Sequence, residues 1–269
     1  MTTYLRSIAS EFAKVFRTRL WWLLAIILIA YVGTAAGGIA LAFAFAPDAV
    51  APGGLPVGDA VAPLVYSMAT ASGFVFPVIL GALSVTSEVR HRTLTTTFTA
   101  IPRRGVVLAG KATVALVIGA IFGVLGFATT VGLGALSLGL GDIDTQLGES
   151  DTWAMVARGI LAMSLWGFVG VGLGVMVPSQ IGSIVSIIAF TQFIEPLVRL
   201  AGTLIEPLGD VVQFLPGAAG DALVGASFYT LMGGGGSSLE WWQGALLLAG
   251  YGLLFLLIGR ATFWRRDVT

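Results

Sequence analysis

The sequence predicts an all-α polytopic membrane protein, a single transmembrane domain over residues 1–269 that crosses the bilayer six times. Three observations carry that prediction. The chain is 57% hydrophobic and only 10% charged, with a mean hydropathy of +0.94, more apolar matter than a soluble core can hide. Apolar runs near 21–46, 62–86, 106–139, 153–177, 180–200 and 241–259 each reach the roughly 20 residues a helix needs to cross a hydrocarbon core about 30 Å thick. The 37 glycines follow no collagen period and suit helices that pack closely in lipid.

Taken in order, residues 1–20 place Leu5, Ile8, Phe12, Val15 and Phe16 at helical spacing with Arg6, Lys14 and Arg17 between them, which predicts an amphipathic helix lying in the membrane interface. The first run ends in Ala44-Phe45-Ala46, a mimic of a signal-peptide cleavage site. It is too long for a signal sequence, and Pro47 would follow the cut, so it is read as a span. Breaks fall at the Pro/Gly/Asp stretch 47–60, at a polar island 87–104, at the acidic loop 141–151 and at Pro178-Ser179. The third run is long enough to tilt or kink. Ile-Glu-Pro-Leu occurs at 194–197 and again at 205–208, and each proline favours a helix boundary. Short broken helices over 194–232 are therefore expected, with 201–240 extracellular or re-entrant and closing in Gly233 to Gly236. Trp21-Trp22 and Trp241-Trp242 open their spans as headgroup anchors. Gly33/Gly37, Gly119/Gly123 and Gly170/Gly174 read as packing positions, within the chain or partly between subunits.

Charge sets the expected orientation. Twelve of the fourteen Lys and Arg residues lie before the first span, in or beside the island, or after the last span at Arg260, Arg265 and Arg266. Asp48, Asp59, Asp142, Asp144, Glu149, Asp151, Glu206, Asp210, Asp221 and Glu240 fall on the opposite face. Positive residues stay inside, so both termini and the island are expected to be cytoplasmic.

Several chemistries have no residues to carry them. A net charge of zero argues against nucleic-acid binding, and zero cysteines remove thiolate metal sites and a cysteine nucleophile. Gly105 to Lys111 has the G-x-x-x-x-G-K spacing of a phosphate loop, but Ala112 stands where a Ser/Thr would bind magnesium and no buried strand precedes it. Lys111 is read as marking the cytoplasmic end of the third span. His91, the only histidine, has no catalytic or metal-binding companions. No catalytic residue, metal site or cofactor is expected in this chain.

Within the island, Leu94, Phe98 and Ile101 recur at helical spacing, Arg90, Thr93 and Thr97 line another face, and Pro102 marks a stop. This predicts a short amphipathic helix that docks a cytoplasmic protein through its apolar anchors. The residues Ser87-Glu88-Val89-Arg90-His91-Arg92-Thr93-Leu94-Thr95-Thr96-Thr97, then Pro102-Arg103-Arg104 and Lys111, resemble the S-E-[YF]-R-x-G-T-L-x-x-T…P-x-R-R…K pattern between the second and third spans of permease subunits of type-2 ATP-binding-cassette exporters. Val89 stands where an aromatic is common and Arg92 where a glycine is common. The resemblance implies a coupling helix over 87–104 that meets a separate ATPase subunit through Glu88, Arg90, Thr93 and Leu94; the helical spacing adds Phe98 and Ile101 in support, and His91 and Thr97 of the same segment are expected at the contact. It implies ATP and Mg on that partner alone, two ATPase copies, a second permease subunit (the same chain or another), and a multi-pass location in a bacterial plasma membrane.

A substrate pathway lined by Met68, Phe74, Phe76, Phe190 and Phe193 would suit a hydrophobic or amphiphilic drug or antibiotic, with lipid or glycan export behind it. Glu195 and Arg199 lie one helical turn apart at the outer end of the fifth span, either as a rim salt bridge or as substrate contacts. A passive channel or ion-coupled transporter would need ionisable residues along the middle of the spans, which the sequence almost lacks.

Overall fold

The computed structural model describes residues 3–47, 58–226 and 239–262. Asp48, Gly233 to Gly236, Arg265 and Arg266 lie outside the described residues. Among the described residues the secondary structure is helical, and six helices are long and apolar enough to cross a membrane: Leu20–Phe45, Val61–Arg90, Arg104–Gly139, Ser150–Met176, Gln180–Gly202 and Trp241–Thr262, called the first to sixth spans below. The third is a continuous 36-residue helix. At 1.5 Å per residue it measures about 54 Å, so it outreaches the hydrocarbon layer.

Two spans are interrupted, each for a local reason. The second divides into Val61–Ala71 and Val75–Arg90. Pro77 has no N–H to give the carbonyl of Gly73, and that carbonyl accepts instead from Phe76 at 3.2 Å. A Cβ on Gly73 would stand 2.9 Å from Leu28 Cδ1 of the first span, so the turn needs a glycine there. The fifth span carries a π turn at Phe190–Ile194, directly before Glu195–Leu204, which has Pro196 in its first turn. Two shorter helices follow, Glu206–Val212 and Pro216–Val224, again with proline in the first turn.

The fourth span is the axis of the bundle and packs against the second, third and sixth. Its glycines make that contact possible. A Cβ at Gly170 would lie 2.2 Å from the Val78 carbonyl, one at Gly167 would lie 2.6 Å from the Ala115 carbonyl, and one at Gly174 would lie 2.7 Å from the Ala82 carbonyl. Gly119 answers from the third span, where a Cβ would meet the Met163 carbonyl at 2.5 Å. Gly119/Gly123 and Gly170/Gly174 therefore serve contacts inside the chain. The first, fifth and sixth spans keep broad apolar faces outward, Ile26, Ile181, Leu197 and Leu246 among them, as a lipid solvent allows.

Candidate functional site

Two clusters of charge lie at opposite ends of the bundle. At the basic end the second span stops at Arg90 in a Schellman turn: Thr93 N–H donates to the Glu88 carbonyl at 3.0 Å and Arg92 N–H to the Val89 carbonyl at 3.2 Å. The residue that must turn left-handed is Arg92, at φ 54°. A glycine adopts that conformation without the Cβ penalty. Arg92→Gly is therefore expected to stabilise the protein by about 1 kcal/mol, read as a higher midpoint of thermal unfolding in nanodiscs.

The turn leads into the helix Leu94–Ala100. Leu94 is buried in a cluster with Val85, Val107, Leu108, Val171 and Val175, and Phe98 and Ile101 pack at its edge. By its sequence this apolar face suits a partner's groove; the helix instead lays it on its own bundle. Arg90, His91, Arg92, Thr93, Thr95, Thr96 and Thr99 are exposed, Thr97 and Phe98 are half-buried, and the Arg104 guanidinium lies 5.0 Å from the Phe98 ring centre. Arg90 Nη1 donates to Gln180 Oε1 at 3.0 Å, tying the turn to the start of the fifth span.

Glu88 is turned inward, only 6% exposed. Its Oε1 faces Lys111 Nζ at 3.1 Å and accepts from Lys14 Nζ at 2.5 Å. Lys111, whose side chain is wholly buried, also donates to Glu11 Oε2 and to the Ser84 carbonyl, both at 2.8 Å. Glu11 Oε1 accepts from Lys14 at 2.6 Å. Two ammonium and two carboxylate groups thus balance, and they join the N-terminal helix Thr3–Arg17, the end of the second span and the start of the third. Burial alone would lower the Lys14 ammonium, but hydrogen bonds and charge from Glu11 and Glu88 outweigh it and hold its pKa above the ordinary 10.5. The helix approaches closely because Gly110 faces Ser7, where a Cβ would stand 2.5 Å from Ser7 Oγ. The near-miss phosphate loop ends in the hub of this network. Glu11, the one acid in a basic amphipathic segment, and Lys111, a charge inside an apolar run, were the sequence signals for it.

At the acidic end, Glu195 is 2% exposed and accepts from Gly217 N–H at 3.0 Å and Ala218 N–H at 2.8 Å, capping the helix Pro216–Val224. Arg199 donates to Glu195 Oε1 from Nη2 at 2.7 Å and from Nε at 3.1 Å, and to Asp221 Oδ2 from Nη1 at 2.6 Å. The pair read from the sequence is thus a triad that also fixes a helix from beyond the fifth span. Beside it runs a cleft walled by Thr70, Phe74, Trp166, Gln192 and Gly220. The Phe74 and Trp166 rings lie 4.5 Å apart, tilted 31°.

Of the pathway residues read from the sequence, Phe74, Glu195 and Arg199 meet in this cleft. The others do not converge on it. Met68 is buried in the core with Phe127 and Leu138, and Phe76 turns toward Tyr31 at 6.3 Å. Phe190 is half-buried in the π turn, and Phe193 points outward at 67% exposure. Trp166, Asp221 and Gly220 went unread because tertiary folding alone brings them together. Among the described residues, no group of three or more His, Asp or Glu is placed to hold a metal ion. Compared with known proteins, the chain matches no family model and no curated protein.

Proposed function

We propose that this chain is the permease subunit of a type-2 ATP-binding-cassette exporter. It works as a pair of permease subunits with two copies of a separate ATPase, which supply ATP and Mg, and it moves a hydrophobic or amphiphilic substrate outward. Drugs and antibiotics are the leading substrates, ahead of lipid or glycan. The observation that carries the reading is the construction of residues 87–104. A polar face stands exposed on a helix whose apolar face is clamped to the bundle, and the Glu88–Lys111 pair joins the second and third spans that flank it. Force applied to such a helix is delivered to both spans at once. The left-handed turn at Arg92 also supports the reading, because the pattern the segment resembles has glycine at that position. In this reading the basic end is cytoplasmic, residues 3–17 lie along the membrane interface, the helices between the fifth and sixth spans dip into the outer leaflet, and the membrane is a bacterial plasma membrane.

The contact surface is narrower than the resemblance implies. Arg90, His91 and Thr93 are exposed with Thr95, Thr96 and Thr99, whereas Glu88 and Leu94 act by holding the helix in place. The double variant Thr95→Arg with Thr96→Arg tests this without touching a buried group. Copurification of the ATPase and substrate export should fall at least tenfold while the unfolding midpoint stays within 2 °C of the parent. Unchanged copurification and export would remove the docking role from this face.

A further inference from the structure

We propose that the N-terminal helix Thr3–Arg17 and the elbow that follows it bind the headgroups of anionic phospholipids. The inference rests on the placement of residues 3–17 along the membrane interface and needs no ATPase.

The helix divides into three stripes, each made of residues three or four apart. Tyr4, Ser7, Glu11 and Val15 face the bundle: Ser7 and Glu11 are buried, Val15 is half-buried, and the Tyr4 hydroxyl lies 2.7 Å from Thr113 Oγ1 of the third span. Leu5, Ala9, Phe12 and Phe16 form an apolar stripe in which only Phe12 is half-buried and the rest are exposed. Arg6, Ser10, Ala13 and Arg17 form the third stripe, and all four are exposed. At about 100° per residue the stripes are spaced nearly evenly around the axis, so an apolar face and a cationic face both point away from the bundle. The boundary of a bilayer suits both at once, acyl chains against the one and phosphates against the other.

The apolar stripe runs on into the first span. Phe16 stacks on Phe12 at 6.1 Å and meets Trp21 edge-on at 5.1 Å, across the elbow at Thr18 and Arg19. Leu20, Trp22 and Leu23 stay exposed just beyond it. Lipid that covers the span therefore reaches the helix, and Arg17 and Arg19 flank the elbow where headgroups begin. The Glu11–Lys111 pair fastens the helix to the third span, so these cations are held in place rather than carried on a loose tail.

Charge then selects the lipid. Among the described residues the acids at this end are Glu11 and Glu88, both buried and both paired with Lys14 and Lys111. Arg6, Arg17 and Arg19 are exposed, and so are Arg90, Arg92, Arg103 and Arg260 from the rest of that end. Asp267 lies outside the described residues, beside Arg265 and Arg266. A surface of this sign draws anionic phospholipid in preference to zwitterionic phospholipid, and each basic residue near the headgroups adds to the preference.

Lipid-specific quenching tests this. The chain has no cysteine, so Ala9→Cys places one thiol in the apolar stripe, where it carries a bimane label. The labelled full chain is placed in nanodiscs of about 70% phosphatidylcholine and about 30% phosphatidylglycerol, with one lipid or the other brominated in its acyl chains. Per mole, brominated phosphatidylglycerol should quench about threefold more strongly than brominated phosphatidylcholine. The triple variant Arg6→Gln, Arg17→Gln, Arg19→Gln should bring the ratio close to one, whereas Arg6→Lys, Arg17→Lys, Arg19→Lys should keep it. Inorganic phosphate at about 10 mM should leave the ratio unchanged, because three cations spread along a bilayer surface gather many headgroups and hold one free ion weakly. Equal quenching by the two lipids, a glutamine variant that keeps the preference, a lysine variant that loses it, or a preference that phosphate abolishes would overturn the proposal. Quenching by neither lipid would overturn it together with the placement of residues 3–17 at the membrane. The exporter reading fails separately. A chain that copurifies its ATPase but shows no lipid preference loses this site alone, and a preference in a chain that no ATPase joins supports the site while removing the exporter reading.

Discussion

Replacing Lys111 with Met is expected to destabilise the protein by about 3–5 kcal/mol, the usual cost of breaking a buried ion pair by removing one partner. Its ammonium serves three oxygens, those of Glu11, Glu88 and the Ser84 carbonyl. Lys14 also reaches both carboxylates, but its side chain is 44% exposed, so its contribution is screened by water. The loss should show twice. The midpoint of thermal unfolding in nanodiscs should fall by several degrees, and the N-terminal helix should become open to trypsin at Arg17. The double variant Glu11→Gln with Lys111→Met removes a carboxylate along with its cation and should recover part of the loss, which isolates the coupling between the two. A Lys111→Met protein as stable as the parent would mean that the network contributes nothing to the fold.

Gly170→Val should be nearly as damaging for a different reason. A Cβ there stands 2.2 Å from the Val78 carbonyl, and the obstacle is backbone of the second span rather than the end of a side chain that could swing away. Overpacking of this kind costs typically 1–3 kcal/mol and can exceed it, and a β-branched side chain at a backbone contact belongs at the upper end. Gly132→Ala is the control, because nothing lies within 4 Å of a Cβ at that position. It should be neutral or slightly stabilising, since alanine favours the helix by about 1 kcal/mol over glycine. Thermal unfolding of the two variants side by side checks both. Equal midpoints would show that the second and fourth spans do not pack as described.

These two predictions also mark where the sequence was legible. Apolar length alone located the six spans to within a few residues, because crossing a membrane demands a run of apolar residues and little else. The periodicity of Leu94, Phe98 and Ile101 gave the helix after the second span and its apolar face. It could not say whether that face met a partner or the chain itself, since both are apolar surroundings. Inside the membrane the same ambiguity is general: an apolar residue toward lipid, such as Phe193, and one toward the core, such as Met68, look alike in sequence. Glycines carried the missing information, because only a close backbone contact requires them, as at Gly170 and Gly174. The break at Gly73 was written in Pro77, four residues on, but was hidden in an otherwise unbroken apolar run.

The charged residues were legible in a different measure. Glu195 and Arg199 are one turn apart, so their pairing followed from helical geometry. Asp221 and the helix that Glu195 caps are more than twenty residues away in sequence and enter only through the fold. Lys111 and Glu11 are 100 residues apart, and no local rule joins them. Lys111 therefore read as the end of a span when it is the hub of a network.

The proposed function requires an ATPase to dock on the exposed face of residues 90–99. The chain has no cysteine, so Thr96→Cys supplies a unique thiol on that face. A thiol-to-amine crosslinker of about 10 Å is applied to membranes of the native cell, and the adduct is identified by mass spectrometry. The account predicts an adduct with an ATP-binding-cassette ATPase that forms at position 96 and not at an exposed position of the acidic end, such as Leu140→Cys. An adduct pattern with no ATPase at position 96, from a variant that still exports substrate, would contradict it.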